Sequence, residues 1–547
     1  MREKYMHMKN EEFNDSWVTE NPPRISDTVV LHEPQRDDES WILQAGSRRY
    51  IRIQAELARL IQSLTGEHSV EELSRTLGGV WTPANIEAAL EKLHGMNLLY
   101  TEESKRKNRR FRVEGPHRIQ FTLLETRQLF EKLRPFARSA VSKPSQILWA
   151  AVCVVGFLAL LGNFQMFIDA VATPVDFRTY LVVGLASLSI MFLHEFAHGL
   201  VLAGFGGNPN SIGVMLFYFT PAFYCDISDG WRLQNNNRRV AVALAGIIFQ
   251  LGVAGISCII ALFPISNEVS KGLLLFATLN YVSCIVNALP FIKLDGYLAL
   301  MTYLDRPFLR ENSMKLARSW LSRVFFGARR PQTEFEPKII LFGLLSMMMP
   351  VVIVATLVVS LSESIKGLGV IAKWSALFVV AGFVIFIGRA IFRLYTNSRN
   401  DGILPIRASV SGVVALVSLV VAGFLVPVPQ HIQAGYVVSG DELYLVSITP
   451  IEDILPGRAV VIHSRGLVTS VDQGIAQIIS CGETLTAPLH AIVPIKVDSL
   501  ELTVYGCTMK HSSGYLENVG AATVLSPPIS VWQWLGQKLP IDSSHEL

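Results

Sequence analysis

Two imidazoles and a carboxylate stand together at His194, Glu195 and His198, inside "SIMFLHEFAHGLVLAGF" at 189–205. Positions 194 and 198 are four apart, so on a helix the two rings share one face. In His-Glu-x-x-His on a helix, two histidines hold a zinc ion and the glutamate acts as general base on a water. The flanking residues are apolar. Ionisable groups at bilayer depth cost several kcal/mol and mark function by default. His194 and His198 are also the only histidines in any apolar run; the other ten lie elsewhere. The competing reading is a structural histidine pair hydrogen-bonded between helices. Catalytic zinc also needs a third protein ligand and an open position. That ligand must come from another element at the same depth.

Composition says which elements are available. The chain has 547 residues, 50% of them hydrophobic and 17% charged, against about a quarter charged in soluble proteins. The apolar residues concentrate in 145–428, between two more polar ends. A span needs about 20 apolar residues. Seven runs qualify on sequence: 146–168, 180–204, 239–263, 272–292, 338–361, 368–392 and 407–427. The expected fold is therefore a polytopic α-helical membrane protein of about seven spans, with an α+β domain before it and an all-β domain after it.

Lysine and arginine orient the spans. They cluster before the first run (Lys105, Arg106, Lys107, Arg109, Arg110, Arg112, Arg134, Arg138). They cluster again after the fourth (Arg306, Arg310, Lys315, Arg318, Arg323, Arg329, Arg330) and after the sixth (Arg389, Arg393, Arg399, Arg407). The positive-inside rule then expects a cell-membrane protein with a cytoplasmic N-terminus and residues 429–547 outside. The polar start "MREKYMHMKNEEFND" shows no cleavable signal. In this topology spans two and four run the same way. Asp295, in "NALPFIKLDGYLAL", then reaches the depth of the two histidines. The competing reading of Asp295 is a helix cap.

"HEFAH" followed by "NALPFIKLDG" resembles the site-2 protease family of intramembrane zinc metallopeptidases, over about residues 180–305. The resemblance implies that His194, His198 and Asp295 bind Zn2+ and that Glu195 is the catalytic general base. Asn287 matches the family asparagine and is implied in substrate binding. The sequence departs from the family at Phe291–Leu294, where Lys293 stands in place of the usual prolines. "YCDISDGW", with "HEFAHG" and "LDGYLAL", looks more like the bacterial peptide zinc metalloprotease branch. Asp226 and Asp229 are candidates for the site entrance or, equally, turn caps. "NPNSIGVMLFYFTPAFYCDISDGWRL", with Pro209 and Pro221 as breakers, reads as short strands and turns. A hairpin beside the site would offer an edge for an extended substrate.

The soluble ends extend this picture. Residues 1–40 read as a flexible segment. Residues 41–100 give two short strands, a helix at 55–64, a second at 70–77 capped by Ser69, a third at 83–95, and a final strand. That order resembles the PqqD-like peptide-binding modules, which take a leader peptide as an added strand. Glu67, Glu71, Glu72, Glu87 and Glu91 argue against nucleic acid as a partner. Residues 101–144 read as a basic juxtamembrane linker and 145–428 as the membrane metallopeptidase core. Residues 429–547 alternate in short runs and read as a β-barrel or sandwich. Cys481 and Cys507 could pair there if the domain is outside the cell. Cys153, Cys258 and Cys284 read as packing residues, and no Cys-x-x-Cys occurs.

The expected function is a membrane-embedded zinc metalloendopeptidase that cuts a small, ribosomally made peptide precursor. Its expected partners are the precursor, the lipid bilayer and a peptide exporter. The alternatives are a non-catalytic export or immunity component, and a zinc or peptide transporter. Glu195 favours the peptidase, because metal binding or transport does not need it.

Overall fold

The computed structural model describes residues 22–33, 41–100, 111–326, 336–364 and 405–533, apart from short breaks within them, and a few positions between 382 and 392. The chain divides into two compact units. One is Met1–Leu148 with Ile190–Phe249, and the other is Trp149–Ser189 with Gln250–Leu547.

The chain opens on an antiparallel sheet of β1 (Val29–His32), β2 (Trp41–Ala45) and β3 (Arg49–Ile53). Helices α1 (Ala55–Ser63), α2 (Val70–Leu77) and α3 (Pro83–Gly95) follow. Ser69 caps α2 in a reciprocal box with Glu72, and Thr82 caps α3 with Pro83 in its first turn. Both devices satisfy amides that the first helical turn leaves unpaired. Leu43, Leu60, Ile61, Leu73, Ile86 and Leu90 form the buried core. Residues 1–40 were expected to be flexible, yet Val29–His32 is a sheet strand, because Val29 and Leu31 pack on that core. The expected final strand is reduced to a single bridge, Ile25 to Leu99.

Residues 101–144 are more than a linker. They supply β4 (Phe111–Val113), β5 (Arg118–Glu125), α4 (Arg127–Lys132) and α5 (Arg134–Ala140). Long apolar helices follow: α6 (Lys143–Gly162), then the short α7 (Phe164–Ala172) and β6 (Val175–Asp176), then α8 (Phe177–Gly204). The expected hairpin is β7 (Ser211–Phe217) with β8 (Thr220–Cys225), followed by a short 3-10 turn at Ser228–Arg232. Four antiparallel strands result, in the order β4-β5-β7-β8. β3 lies beside the Ser228–Arg232 turn.

Helices α9 (Asn236–Ile260), α10 (Asn267–Ala288), α11 (Asp295–Tyr303), α12 (Leu309–Phe326), α13 (Pro337–Ser364) and α14 (Pro405–Leu425) complete the helical part. Four helices among the described residues, not seven, are long and apolar enough to cross a membrane: α6, α8, α9 and α10. These match the first four expected spans and mark a membrane protein. α13 is one 28-residue helix with Pro350 inside it, and it is not among the four. The sixth expected span lies almost entirely outside the described residues. The seventh coincides with α14, which is not among the four.

The chain ends in β9 (Pro427–Ser439), β10 (Glu442–Ser447), β11 (Ala459–His463), β12 (Asp472–Pro488), β13 (Ile495–Lys496), β14 (Glu501–Gly514) and β15 (Val519–Ser530). All except β13 close into a six-stranded barrel, β10-β14-β12-β11-β15-β9. Alternate residues point inward, among them Tyr436, Leu445, Val460, Ile462, Ile478 and Val524. Cys481 and Cys507 face each other across β12 and β14 and are joined by a disulfide. The barrel sits on the α7–α8 connection. β13 pairs in parallel with β6, and the Val468 and Thr469 amides donate to the Val171 carbonyl. Leu467 packs with Val183 of α8 and Leu275 of α10. The barrel thus lies at the starting ends of α8 and α10.

Candidate metal centre

α8 supplies two candidate ligands from far along its length. At 1.5 Å per residue, His194 stands about 26 Å from the start at Phe177. Both imidazoles are buried, at 5% and 2% exposure. Their Nε2 atoms face each other at 3.2 Å. A tetrahedral zinc with bonds near 2.0–2.1 Å separates its nitrogen ligands by about 3.3 Å. The pair therefore already stands at chelating distance.

A neighbouring helix fixes the tautomer. His198 Nδ1 lies 2.7 Å from the Val242 carbonyl of α9. A carbonyl only accepts, so Nδ1 carries the proton and Nε2 keeps its lone pair for a metal. One turn on, Gly246 lies directly against the His194 ring, and a Cβ there would run into it. Glycine at 246 makes room for the ligand.

Asp295 completes the set. One ligand atom from each of His194, His198 and Asp295 lies within 4.8 Å of the others. Asp295 is the first residue of α11, after the non-helical linker Leu289–Leu294. Gly296 packs against the end of α10, and a Cβ there would collide with the Ala288 carbonyl. The Asp-Gly pair thus lets the chain turn sharply back beside α10. Two imidazoles with one carboxylate form a borderline donor set that suits zinc. The group could hold a metal ion.

Glu195 is half-buried. Its Oε2 accepts a hydrogen bond from the Cys225 backbone amide at 2.9 Å. Cys225 is the last residue of β8, an edge strand of the four-stranded sheet. Phe192 and Phe196 of α8 pack beside Cys225 with Phe130 and Ile212. The hairpin is therefore packed on the ligand helix, and its backbone aims the carboxylate. Burial and the Glu195 charge push the Cys225 thiol well up, so it stays neutral there.

The other sequence candidates have identifiable partners. Asp226 accepts from the Ser228 amide and hydroxyl at 3.2 and 2.6 Å. Asp229 accepts from the Asn208 amide at 2.6 Å and pairs with Arg232 at 3.1 Å. Both are buried, at 6% and 4% exposure, so these bonds shape the turn after β8. The Asn287 amide donates to Ser283 at 3.4 Å. Ser283 meets Gln250 of α9, which donates to Asn280 at 3.4 Å. A polar string thus runs along α10 from Asn287.

The sequence did not point to the Val242 carbonyl, the Cys225 amide or Gly246. Backbone groups carry no residue-type signal. Gly246, in "AVALAGIIF", looks like any small residue in an apolar helix. No family model, curated protein or solved structure matches the chain.

Proposed function

We propose that the protein is a membrane-embedded zinc metalloendopeptidase acting on a small peptide precursor. The observation that carries this reading is the joint placement of His194, His198 and Asp295 with Glu195 oriented beside them. A structural histidine pair would not need a carboxylate at liganding distance or an adjacent glutamate held by a strand end.

His194, His198 and Asp295 would hold the ion. When bound, it supplies a Lewis acid that polarises the scissile carbonyl and acidifies a water. Glu195 takes the proton from the attacking water and passes it to the leaving amide nitrogen. The Cys225 amide keeps Glu195 in register for both transfers. A substrate strand adds to the outer edge of β8, which places an extended peptide against the residue that aims the base. Asn287 binds the substrate backbone from the end of α10.

The N-terminal module supports a peptide substrate. β3 is an edge strand. Beside it is a cavity of about 300 Å³ lined by apolar residues that include Leu43, Ile51, Ile53, Leu57, Leu93 and Met96. A leader peptide would add to β3 and seat its apolar side chains there. β3 lies beside the turn that follows β8, so recognition and cleavage are close along one chain path. The module and metal centre then face the cytoplasm, and the disulfide-bonded barrel lies outside, where oxidising conditions sustain the bond.

The test is co-expression of a candidate precursor with wild type and with Glu195→Gln. The reading expects processing by wild type alone. Equal processing by both proteins would leave export or immunity as the better account.

A further inference from the structure

The linker that carries Asp295 is held from outside by α12. Residues 289–294 leave helical geometry between α10 and α11, so their backbone groups need partners from elsewhere. Arg310, in the first turn of α12, donates from Nε to the Phe291 carbonyl at 3.0 Å. Its Nη2 donates to the Ser346 carbonyl of α13 at 3.3 Å. Its own amide donates to the Tyr297 hydroxyl at 3.3 Å. Tyr297 stands two residues after Asp295 and donates to Glu311 at 3.4 Å. Glu311 in turn pairs with Lys293, two residues before Asp295. The ligand is thus bracketed on both sides by side chains or backbone of one two-residue segment.

The parts are unequal. Lys293 and Glu311 are 53% and 31% exposed in their side chains, and pairs that exposed contribute little. The planar guanidinium fork of Arg310 fixes two donor directions at once. It ties the linker to α13, where the Phe291 and Phe342 rings also meet at 5.5 Å, tilted by 43°.

We propose that Arg310 is a positioning residue for the metal centre. It sets the linker so that Asp295 closes the site, and Lys293–Glu311 trims that setting. This rests on the zinc-peptidase reading above. Residues that orient a metal ligand typically change affinity by about 10–100-fold when removed.

The experiment measures Zn2+ affinity of the full-length protein in detergent, by competition with a chelator. Wild type is compared with Arg310→Gln, Arg310→Lys, Glu311→Gln and, as a control on the same helix, Lys315→Gln. Far-ultraviolet circular dichroism of the metal-free proteins reports the fold. The expected result is affinity at least about tenfold weaker in Arg310→Gln, less so in Arg310→Lys, with native dichroism. Glu311→Gln should fall by under threefold or so, as an exposed pair would, and Lys315→Gln should match wild type. Replacing Zn2+ with Co2+ gives a second readout, a weakened tetrahedral visible band in Arg310→Gln. Wild-type affinity and cobalt band in a folded Arg310→Gln overturn the proposal. If that variant fails to fold, a folded Arg310→Lys with unchanged affinity overturns it equally, and a weakened one sustains it. Wild type that binds no metal overturns instead the reading on which it rests.

Discussion

The proton on His198 Nδ1 decides what the histidine pair can do. Because that N–H donates to the Val242 carbonyl, the His198 Nε2 keeps its lone pair for a metal. "HEFAH" shows the ligands in sequence but not their tautomer, which depends on a backbone carbonyl forty-four residues away. Two predictions belong here. Gly246→Ala forces a methyl into the His194 ring. Overpacking of this kind costs about 1–3 kcal/mol, and it should appear as at least tenfold or so weaker zinc binding, measured by chelator competition. Glu195→Gln should retain full metal content by atomic absorption while losing about 100-fold or more in rate, the scale of general-base catalysis. Loss of metal in that variant would assign Glu195 to the ligand set instead.

At the scale of elements, periodicity and capping were easier to read than pairing. Ser69 and the apolar spacing mark α1 to α3 within a residue or so of the expected bounds. The hairpin after α8 was also legible, from Pro209, Pro221 and β-branched residues between them. β5 was not. Arg118–Glu125 sits in a basic stretch, and its partner β7 lies more than eighty residues on. Such a pairing leaves no local trace. β1 was missed for a related reason: four residues, Val29–His32, are too few for alternation to stand out. Asp295 was legible through topology and through the resemblance of its "LDG", and Arg310 not at all, because its contacts with Phe291 and Ser346 are to carbonyls. One prediction tests the module. Leu57→Asp places a carboxylate in the apolar cavity. Losing a buried leucine contact is worth about 1.5–3 kcal/mol, so KM for full-length precursor should rise at least tenfold or so. The kcat should stay unchanged, and so should cleavage of a precursor lacking its leader. An equal fall in kcat for both peptides would place Leu57 in the catalytic machinery rather than in recognition.

Across the whole molecule, the barrel is anchored through a loop that meets Val171 and Val183. The seven-span expectation came from hydropathy alone. The sixth expected span falls almost entirely outside the described residues. The barrel was legible as a class, because alternation persists through β10 and β11. Its closure was not, since that depends on β15 returning to β9. Sidedness can be measured with a membrane-impermeant maleimide on intact cells. After mild reduction the exposed Cys481 should label, and without reduction it should not. Labelling that requires cell lysis would put the barrel in the cytoplasm and reverse the proposed orientation.

The central claim is metal-dependent peptide hydrolysis at Glu195. The most direct measurement is timed mass spectrometry of a purified precursor incubated with the purified full-length protein in detergent. Wild type, chelator-treated wild type, the same sample with zinc restored, and Glu195→Gln are compared. The account predicts two fragments whose masses sum to the precursor plus one water. They should form with wild type, stop on chelation, return with zinc, and be absent with Glu195→Gln. An intact precursor under every condition, or the same fragments from Glu195→Gln, would contradict it.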